Sequence, residues 1–553
     1  MNPKMRLILS GLLILFILVR LPGLSTPYHQ DEFKTAIAAE ASLSEASAFL
    51  THPPLTALLF RADAVVFGGT NLRLLPLFFG LISVGLLFLV VRRRFDEHAA
   101  LWAVFLYTFS FYGVWSSLML DTDGAILPTL FLTALYCYDR AKDDTKHARR
   151  WVALLVLTLL TGFLVKLSFI LVVGVLIADF LFERRRELTF RHIAYIGSIG
   201  FSLLFIIGIA FIAVKFLNPA FNIGGMISHA LYYVHWSGRS YLQVIIQGIK
   251  AVFYLSPLLL APLLLVSKEV LRRATPFLWY LVLGFVFYFI LFDFSRGALD
   301  KYLMFMVVPL CVISGATLSQ IFASFSAREH AYRVISGILI ATALVALLFV
   351  SPEVVPLYPK TEWFSRVIHG DWNILTAFNG GSGPVGFYMS FLVIASSFLV
   401  AGIAALLGRV RRSLLGIAAV VIVCVGVAYN AAFIEEFSFG KVYGSVEVVL
   451  NSTVAYLKTA DDIKKVNTHN DIGAYQLKQI GKYDGSHFTA APQFEAVART
   501  HLPAFEGAFL VIDMPPLYDG FYRDFFKSCR ILYTVRSGVI TSTVYSSCTW
   551  TKE

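Results

Sequence analysis

Seven short basic clusters divide the apolar length of this chain, and their spacing constrains its fold more than any other feature. They are Lys4/Arg6, Arg92–Arg94, Arg140–Arg150, Arg184–Arg191, Lys268–Arg273, Arg328/Arg333 and Arg409–Arg412, and they hold 22 of the 46 Lys and Arg residues. The runs between them belong to a 553-residue chain that is 58% hydrophobic and only 15% charged, with a mean hydropathy of +0.72. A bilayer can solvate that much apolar surface, whereas water cannot. In a soluble protein the net charge of +11 would point to nucleic acid. Here the basic residues gather in loops between spans, which is the cytoplasmic signature of a membrane protein, so no nucleic-acid partner is expected.

Two consecutive cytoplasmic clusters must be joined by an even number of spans. The apolar stretch Trp151–Phe182 is flanked by basic groups on both sides. As one helix its roughly 32 residues would measure ~48 Å, more than a hydrocarbon core of ~30 Å. It therefore reads as a hairpin with its tip near Gly162–Ser168. The same reasoning makes 98–139 a hairpin tipped by Ser116–Gly124 and 276–325 one tipped by Asp293–Lys301. The expectation is about thirteen spans, near 5–22, 73–91, 98–115, 124–139, 151–165, 167–183, 193–215, 242–266, 276–292, 302–323, 333–351, 385–407 and 414–432. The first run follows Lys4 and Arg6 with no small-residue cleavage site after it, so it reads as an uncleaved helix. The N-terminus is then cytoplasmic and the C-terminus outside.

The expected fold is an α-helical polytopic membrane protein with a small soluble α/β domain at its C-terminal end. Residues 1–432 form the membrane domain, in which 23–72 is an outer loop with amphipathic juxtamembrane helices, and 433–553 form the extracytoplasmic domain. In the latter, strand-like Lys465–Thr468 and Ala508–Asp513 alternate with helix-like Ile472–Ile480 and Tyr518–Phe526. Arg530–Ser547 reads as a hairpin turning near Ser537-Gly538. Cys529 and Cys548 are nearly symmetric about that turn, so they either bridge in an oxidising compartment or stay free, and the bridge is expected. Cys137, Cys311 and Cys424 lie in apolar runs as small buried hydrophobes.

Polar residues stand out at the outer ends of the spans. Asp31 and Glu32 follow the first one, in Tyr28-His29-Gln30-Asp31-Glu32-Phe33. One carboxylate can take a proton from a hydroxyl nucleophile while the other orients a ligand or a divalent cation; alternatively Asp31 only caps the following helix. His52-Pro53-Pro54-Leu55 is either a helix start or a place where His52 meets an anionic ligand. Asp121 and Asp123 are either solvated turn residues or a second acidic wall. Lys166 interrupts an apolar hairpin with no acidic neighbour in sequence. A charge at bilayer depth costs ~2.5–3.5 kcal/mol, so Lys166 either snorkels to the interface or meets a phosphate at headgroup level. The tip 293–302 adds Arg296, Lys301 and Tyr302. Its two cations run against the inside-positive trend, either as surface ion pairs with Asp293 and Asp300 or as phosphate ligands.

In these residues the chain resembles the GT-C class of membrane glycosyltransferases, and within it the bacterial aminoarabinose transferases of lipid A and the protein O-mannosyltransferases. The resemblance rests on Asp31-Glu32, His52-Pro53-Pro54-Leu55, Asn71-Leu72-Arg73-Leu74-Leu75-Pro76, Leu120-Asp121, the Lys166 hairpin and the tip ending in Lys301-Tyr302. It implies inverting transfer from a polyprenyl-phosphate sugar outside the membrane. Asp31 matches the family's catalytic acidic residue, and Lys166, Arg296, Lys301 and Tyr302 match its lipid-phosphate region. The chain departs from aminoarabinose transferases in having His52-Pro53-Pro54 where they have Glu-Lys-Pro, and Arg296-Gly297-Ala298 where two lysines flank a glycine.

The resulting expectation is a glycosyltransferase of the bacterial inner membrane acting on lipopolysaccharide or another cell-envelope glycan. Asp31 and Glu32 are the catalytic pair, and Lys166, Arg296, Lys301 and Tyr302 hold the donor phosphate. His52, Asp121 and Asp123 form an acceptor or second acidic site, and a divalent cation is left open. Partners are the polyprenyl-phosphate sugar, a lipid or glycan acceptor and membrane lipids. Protein O-mannosylation is the alternative acceptor reading. A lipid or sugar flippase is the alternative of another class, against which the charges stand at span ends and no inverted repeat is visible. A sensor role has only the exposure of the C-terminal domain behind it.

Overall fold

The structure, a computed structural model, describes the chain except residues 1, 43–44, 46–51, 188, 235–237, 294–298, 325–326, 356–359, 379–382, 384, 492–493, 515, 518–519 and 551–553. Helices stand at every expected span. They are Pro3–Arg20, Leu74–Arg94, Glu97–Phe109 with Phe111–Ser116, Ile126–Asp143, Ala148–Val165, Ile170–Glu183, Phe190–Leu217, Tyr241–Leu260, Thr275–Phe285, Val307–Ala323, Ala327–Val350, Phe391–Val410 and Leu415–Ser438. Among the described residues nine helices are long and apolar enough to cross a membrane.

At the other four expected spans the helices are interrupted, short or charged, each for a local reason. Residues 98–115 break at Ser110, whose extended backbone ends one helix and whose hydroxyl caps the next by accepting from the Gly113 N–H at 3.3 Å. Helix Ile126–Asp143 carries Asp139, Arg140, Lys142 and Asp143 near its end. A 3-10 turn at Leu167–Phe169 leaves only 14 residues for Ile170–Glu183. Helix Thr275–Phe285 passes into a π-helical turn at Val286–Leu291.

The chain divides into two compact units. The first comprises Met1–Arg20, Thr35–Ala331 and Ala404–Ala419, and the second Leu21–Lys34, Tyr332–Ile403 and Val420–Glu553. In the first unit, helix Val307–Ala323 is buried along most of its length and packs on Glu97–Phe109. Gly315 makes that approach possible, because a Cβ there would lie 2.7 Å from the backbone nitrogen of Ala103. At the basic end of this unit Arg94 donates twice to Asp139, at 2.8 and 2.5 Å. At the other end the buried Arg20 guanidinium donates to the Ser117 hydroxyl at 2.6 Å and to the carbonyls of Phe16 and Thr108, so its charge is solvated by dipoles.

The second unit contains the C-terminal sheet. Its strands are β3 (Val466–His469), β4 (Tyr483–Phe488), β5 (Ala508–Ile512), β6 (Arg530–Ser537) and β7 (Ile540–Ser546), in the order β4-β3-β5-β7-β6. β3 is parallel to β4 and β5, and β7 is antiparallel to β5 and β6. The β6–β7 hairpin closes with Ser537 opposite Ile540, and Cys529 and Cys548 beyond its open end are disulfide-bonded. One face of the sheet buries Phe488 and Phe509 under Phe521, Phe525 and Phe526. Helix Val446–Thr459 packs on β6 and β7, where Thr453 and Ser542 share a hydroxyl hydrogen bond of 2.8 Å. A short hairpin, β1 (Leu375–Phe378) with β2 (Phe387–Ser390), also belongs to this unit.

Candidate functional site

Two groups of polar residues emerge, one in each unit. In the first unit the group gathers at the helix ends remote from the basic clusters. Helix Ala148–Val165 stops at Lys166, whose backbone is extended. The Lys166 ammonium pairs with the Asp123 carboxylate and lies 3.6 Å from Asp121. The Lys301 ammonium, 3% exposed, pairs with the other oxygen of Asp121. Both ammoniums lie over the Tyr302 ring, Lys166 at 5.1 Å and Lys301 at 5.3 Å from its centroid. Tyr302 in turn stacks on Tyr288 at 5.6 Å.

Local structure fixes this arrangement. The segment after Ser116 is a tight turn in which Asp121 accepts from the backbone N–H groups of Thr122 (2.5 Å) and Asp123 (3.4 Å). Gly124 ends the turn where a Cβ would fall 2.1 Å from the Ser116 carbonyl oxygen. Thr56, in the first turn after Pro53-Pro54, donates to the Val165 carbonyl at 2.7 Å and so ties the His52 segment to the Lys166 helix end. His52 faces Lys166, Lys301 and Asp121, with the His229 ring at 5.9 Å.

The electrostatics follow from burial and pairing. Burial pushes the Asp121 carboxyl up, but the Lys166 and Lys301 ammoniums outweigh it and hold the group well below the usual carboxylate range. Asp123 shifts upward, because burial and the Asp121 charge outweigh Lys166. Burial would lower Lys166, yet Asp121 and Asp123 hold it above the ordinary lysine value. Burial and the Lys166 charge bring His52 down to about 4, so at neutral pH it is an uncharged imidazole. The chemistry on offer is two fixed ammoniums beside a neutral donor-acceptor ring, in largely buried surroundings.

Asp31 and Glu32 belong to the second unit, at the start of helix Asp31–Glu40, where the helix dipole favours carboxylates. Glu32 is fully buried, while Asp31 is half-exposed and 3.3 Å from the Lys34 ammonium. Gln30 before them takes a left-handed φ of 48°. His29 is buried completely and its Nδ1 lies 2.7 Å from the Gly383 carbonyl oxygen. A carbonyl only accepts, so Nδ1 carries the proton and Nε2 is bare; it has no hydrogen-bond partner among the described residues. Burial lowers the His29 pKa against the opposing charge of Glu32.

Neighbouring rings seat this segment on the C-terminal sheet domain. Tyr28 meets Tyr475 edge-on at 5.1 Å, and Phe33 meets Tyr483 at 5.3 Å. The Tyr483 hydroxyl donates to Asp471 at 3.1 Å, and His487 stands 3.2 Å from the same oxygen. These partners of the Asp31 segment were not read from the sequence, and no local pattern marks them. Arg296 lies outside the described residues. Among the described residues no cluster of three or more His, Cys, Asp or Glu side chains could hold a metal ion.

Residues 51–211 match the family model of dolichyl-phosphate-mannose-protein mannosyltransferases. No curated protein matches the sequence. Among solved structures, the chain is similar to ArnT from Cupriavidus metallidurans bound to undecaprenyl phosphate, with a TM-score of 0.55 at 15% identity over 98% of both chains. The apo state of the same protein gives a TM-score of 0.52 at 15% identity over 97% of both chains. The chain has the fold of ArnT. The matched span 51–211 includes His52, Asp121, Asp123 and Lys166, four of the polar residues gathered in the first unit.

Proposed function

We propose that the chain transfers a sugar from a polyprenyl-phosphate donor to a lipopolysaccharide or other cell-envelope glycan, by inversion, at the outer face of a bacterial inner membrane. The carrying observation is that Lys166 and Lys301 converge on Asp121 beside the Tyr302 ring. Two ammoniums held at a span end suit a lipid phosphate, and their charge matters most as the leaving phosphate gains its own. An acceptor hydroxyl attacks the anomeric carbon, the bond from that carbon to the phosphate oxygen breaks, and the hydroxyl proton passes to Asp31. Polyprenyl phosphate leaves on Lys166 and Lys301. Asp123, already shifted toward its protonated form, is the partner that Lys166 gives up when the phosphate arrives. Glu32, fully buried and next to Asp31 in the sequence, orients a ligand. Arg296 is a further phosphate ligand in this reading, and His52 contacts the acceptor or the donor as a neutral ring. A divalent cation is an optional addition at the carboxylates. The N-terminus is cytoplasmic, and the C-terminal domain is extracytoplasmic.

Asp31→Asn is expected to cut transfer by about 10²–10⁴-fold with normal expression, the usual worth of a general base. Wild-type turnover by that variant rules Asp31 out as the base. Lys166→Ala should weaken donor binding about 10- to 100-fold, the loss of a charge-assisted hydrogen bond of about 1.5–3 kcal/mol. Titration with the polyprenyl-phosphate donor measures it, and unchanged affinity removes Lys166 from the site.

The match of residues 51–211 to protein mannosyltransferases favours a second reading, the same transfer onto Ser or Thr of a protein. Mass spectrometry of envelope lipids and periplasmic proteins from a deletion strain separates the two by which class loses a sugar.

A further inference from the structure

At the basic end of the first unit a cleft of about 1080 Å³ opens between helix Ile170–Glu183, with the turn that follows it, and helices Lys268–Arg273 and Thr275–Phe285. Most of the charge around it is already neutralised. Arg94 is held by Asp139, Arg273 by Glu269 at 2.7 Å, and Glu183 by Lys142 at 2.6 Å. Asp179 lies 3.9 Å from Arg94 and 3.7 Å from Lys142. What remains on the lining is Arg185, Arg186 and Arg272 against Glu187, none of them in an ion pair among the described residues. Six cations (Arg94, Lys142, Arg185, Arg186, Arg272 and Arg273) stand against five carboxylates (Asp139, Asp179, Glu183, Glu187 and Glu269), so the cleft and its partners keep an excess of one positive charge.

The rest of the lining is apolar and graded. The Arg185 guanidinium lies over the Phe182 ring at 4.3 Å, and Phe182 meets Trp279 edge-on at 6.4 Å. Leu278 and Val282, one helical turn apart, continue the apolar wall along Thr275–Phe285. Guanidiniums, then aromatic rings, then aliphatic side chains reproduce the profile of a phospholipid from phosphate to acyl chain. A soluble anion would use the arginines and leave the apolar wall idle. A zwitterionic lipid would bring its own ammonium against them.

We propose that this cleft binds an anionic phospholipid, with its phosphate on Arg185, Arg186 and Arg272 and an acyl chain along Leu278 and Val282. Three guanidiniums outside any ion pair among the described residues favour a headgroup with two phosphates over one with a single phosphate.

The full chain in detergent is titrated with diphosphatidylglycerol and, separately, with phosphatidylcholine, and bound lipid is read by native mass spectrometry. Retention of the anionic lipid is expected to exceed that of the zwitterionic one by about tenfold, and R185Q/R186Q/R272Q to abolish the preference. Equal retention of the two lipids, or an unchanged preference in the variant, overturns the proposal. So does displacement of bound lipid by inorganic phosphate at equal concentration, which would assign a soluble anion. A second measurement does not need the triple variant to fold. Diphosphatidylglycerol with brominated acyl chains should quench a fraction of the tryptophan emission that is missing from W279F. Identical quenching of wild type and W279F places the lipid elsewhere and also overturns the proposal.

Discussion

Lys166, Lys301, Asp121 and Asp123 show how buried charges can be kept in an apolar chain. Each ammonium is paired, and removing one partner strands the other. Lys301→Met should therefore destabilise the protein by about 3–5 kcal/mol, the usual cost of breaking a buried pair, and adding Asp121→Asn should recover part of that loss. Thermal unfolding of the single and double variants in detergent checks it, and additive losses would mean the two groups are not coupled. His52 gives a pH-dependent counterpart. Its folded-state value is depressed to about 4 by burial and by Lys166. The unfolded chain thus binds the proton first, and the stability His52 contributes is fully present above about 6.5 and lost as pH falls toward 4. His52→Gln should flatten the fall in unfolding temperature across that window, and an unchanged slope would show that His52 does not titrate there. Sequence made Lys166 conspicuous, because it stands alone among apolar residues. It could not reveal that Lys301, 180 positions from Asp121, completes the same ion network, since no local pattern encodes a contact at that separation.

Among the elements, the hairpin tipped by the Asp121 turn depends on a single small residue. Gly124 sits so close to the Ser116 carbonyl that any side chain must displace the turn. Gly124→Val should cost about 1–3 kcal/mol by overpacking and also weaken donor binding, because Asp121 and Asp123 would move off the ammoniums. Donor affinity intact beside lowered stability would separate the turn from the site. Hydropathy and loop charge were enough to locate such hairpins, since parity counts clusters and does not need helix ends. They could not show where a span breaks. Ser110 reads as an ordinary polar residue within residues 98–115, yet its side chain caps a new helix start. The π-helical turn at Val286–Leu291 likewise has no signature in an apolar run, because its hydrogen-bond register is set by packing.

For the molecule as a whole, the C-terminal sheet domain and the Asp31 segment are parts of one unit, although more than 430 positions separate Asp31 from Val466. The contacts that join them are Tyr28 on Tyr475 and Phe33 on Tyr483, while His29 ties the same segment to the Gly383 carbonyl between β1 and β2. Each is a ring or a buried imidazole, and such groups restrict orientation more than they add charge. A domain seated on the carboxylate segment would act by holding Asp31 and Glu32 in place, with no need to touch the substrate. Aromatic pairs of this kind contribute about 0.5–1.5 kcal/mol beyond their area. Tyr475→Ala combined with Tyr483→Ala should therefore lower kcat several-fold, leave donor affinity at the wild-type value, and be rescued by phenylalanine at 475, which keeps the ring. Position 483 should be rescued less completely, because Tyr483 also donates to Asp471. Steady-state kinetics and donor titration on the same preparations decide it. A loss of donor affinity with kcat unchanged would refute positioning of the carboxylates and leave the sheet domain a different task.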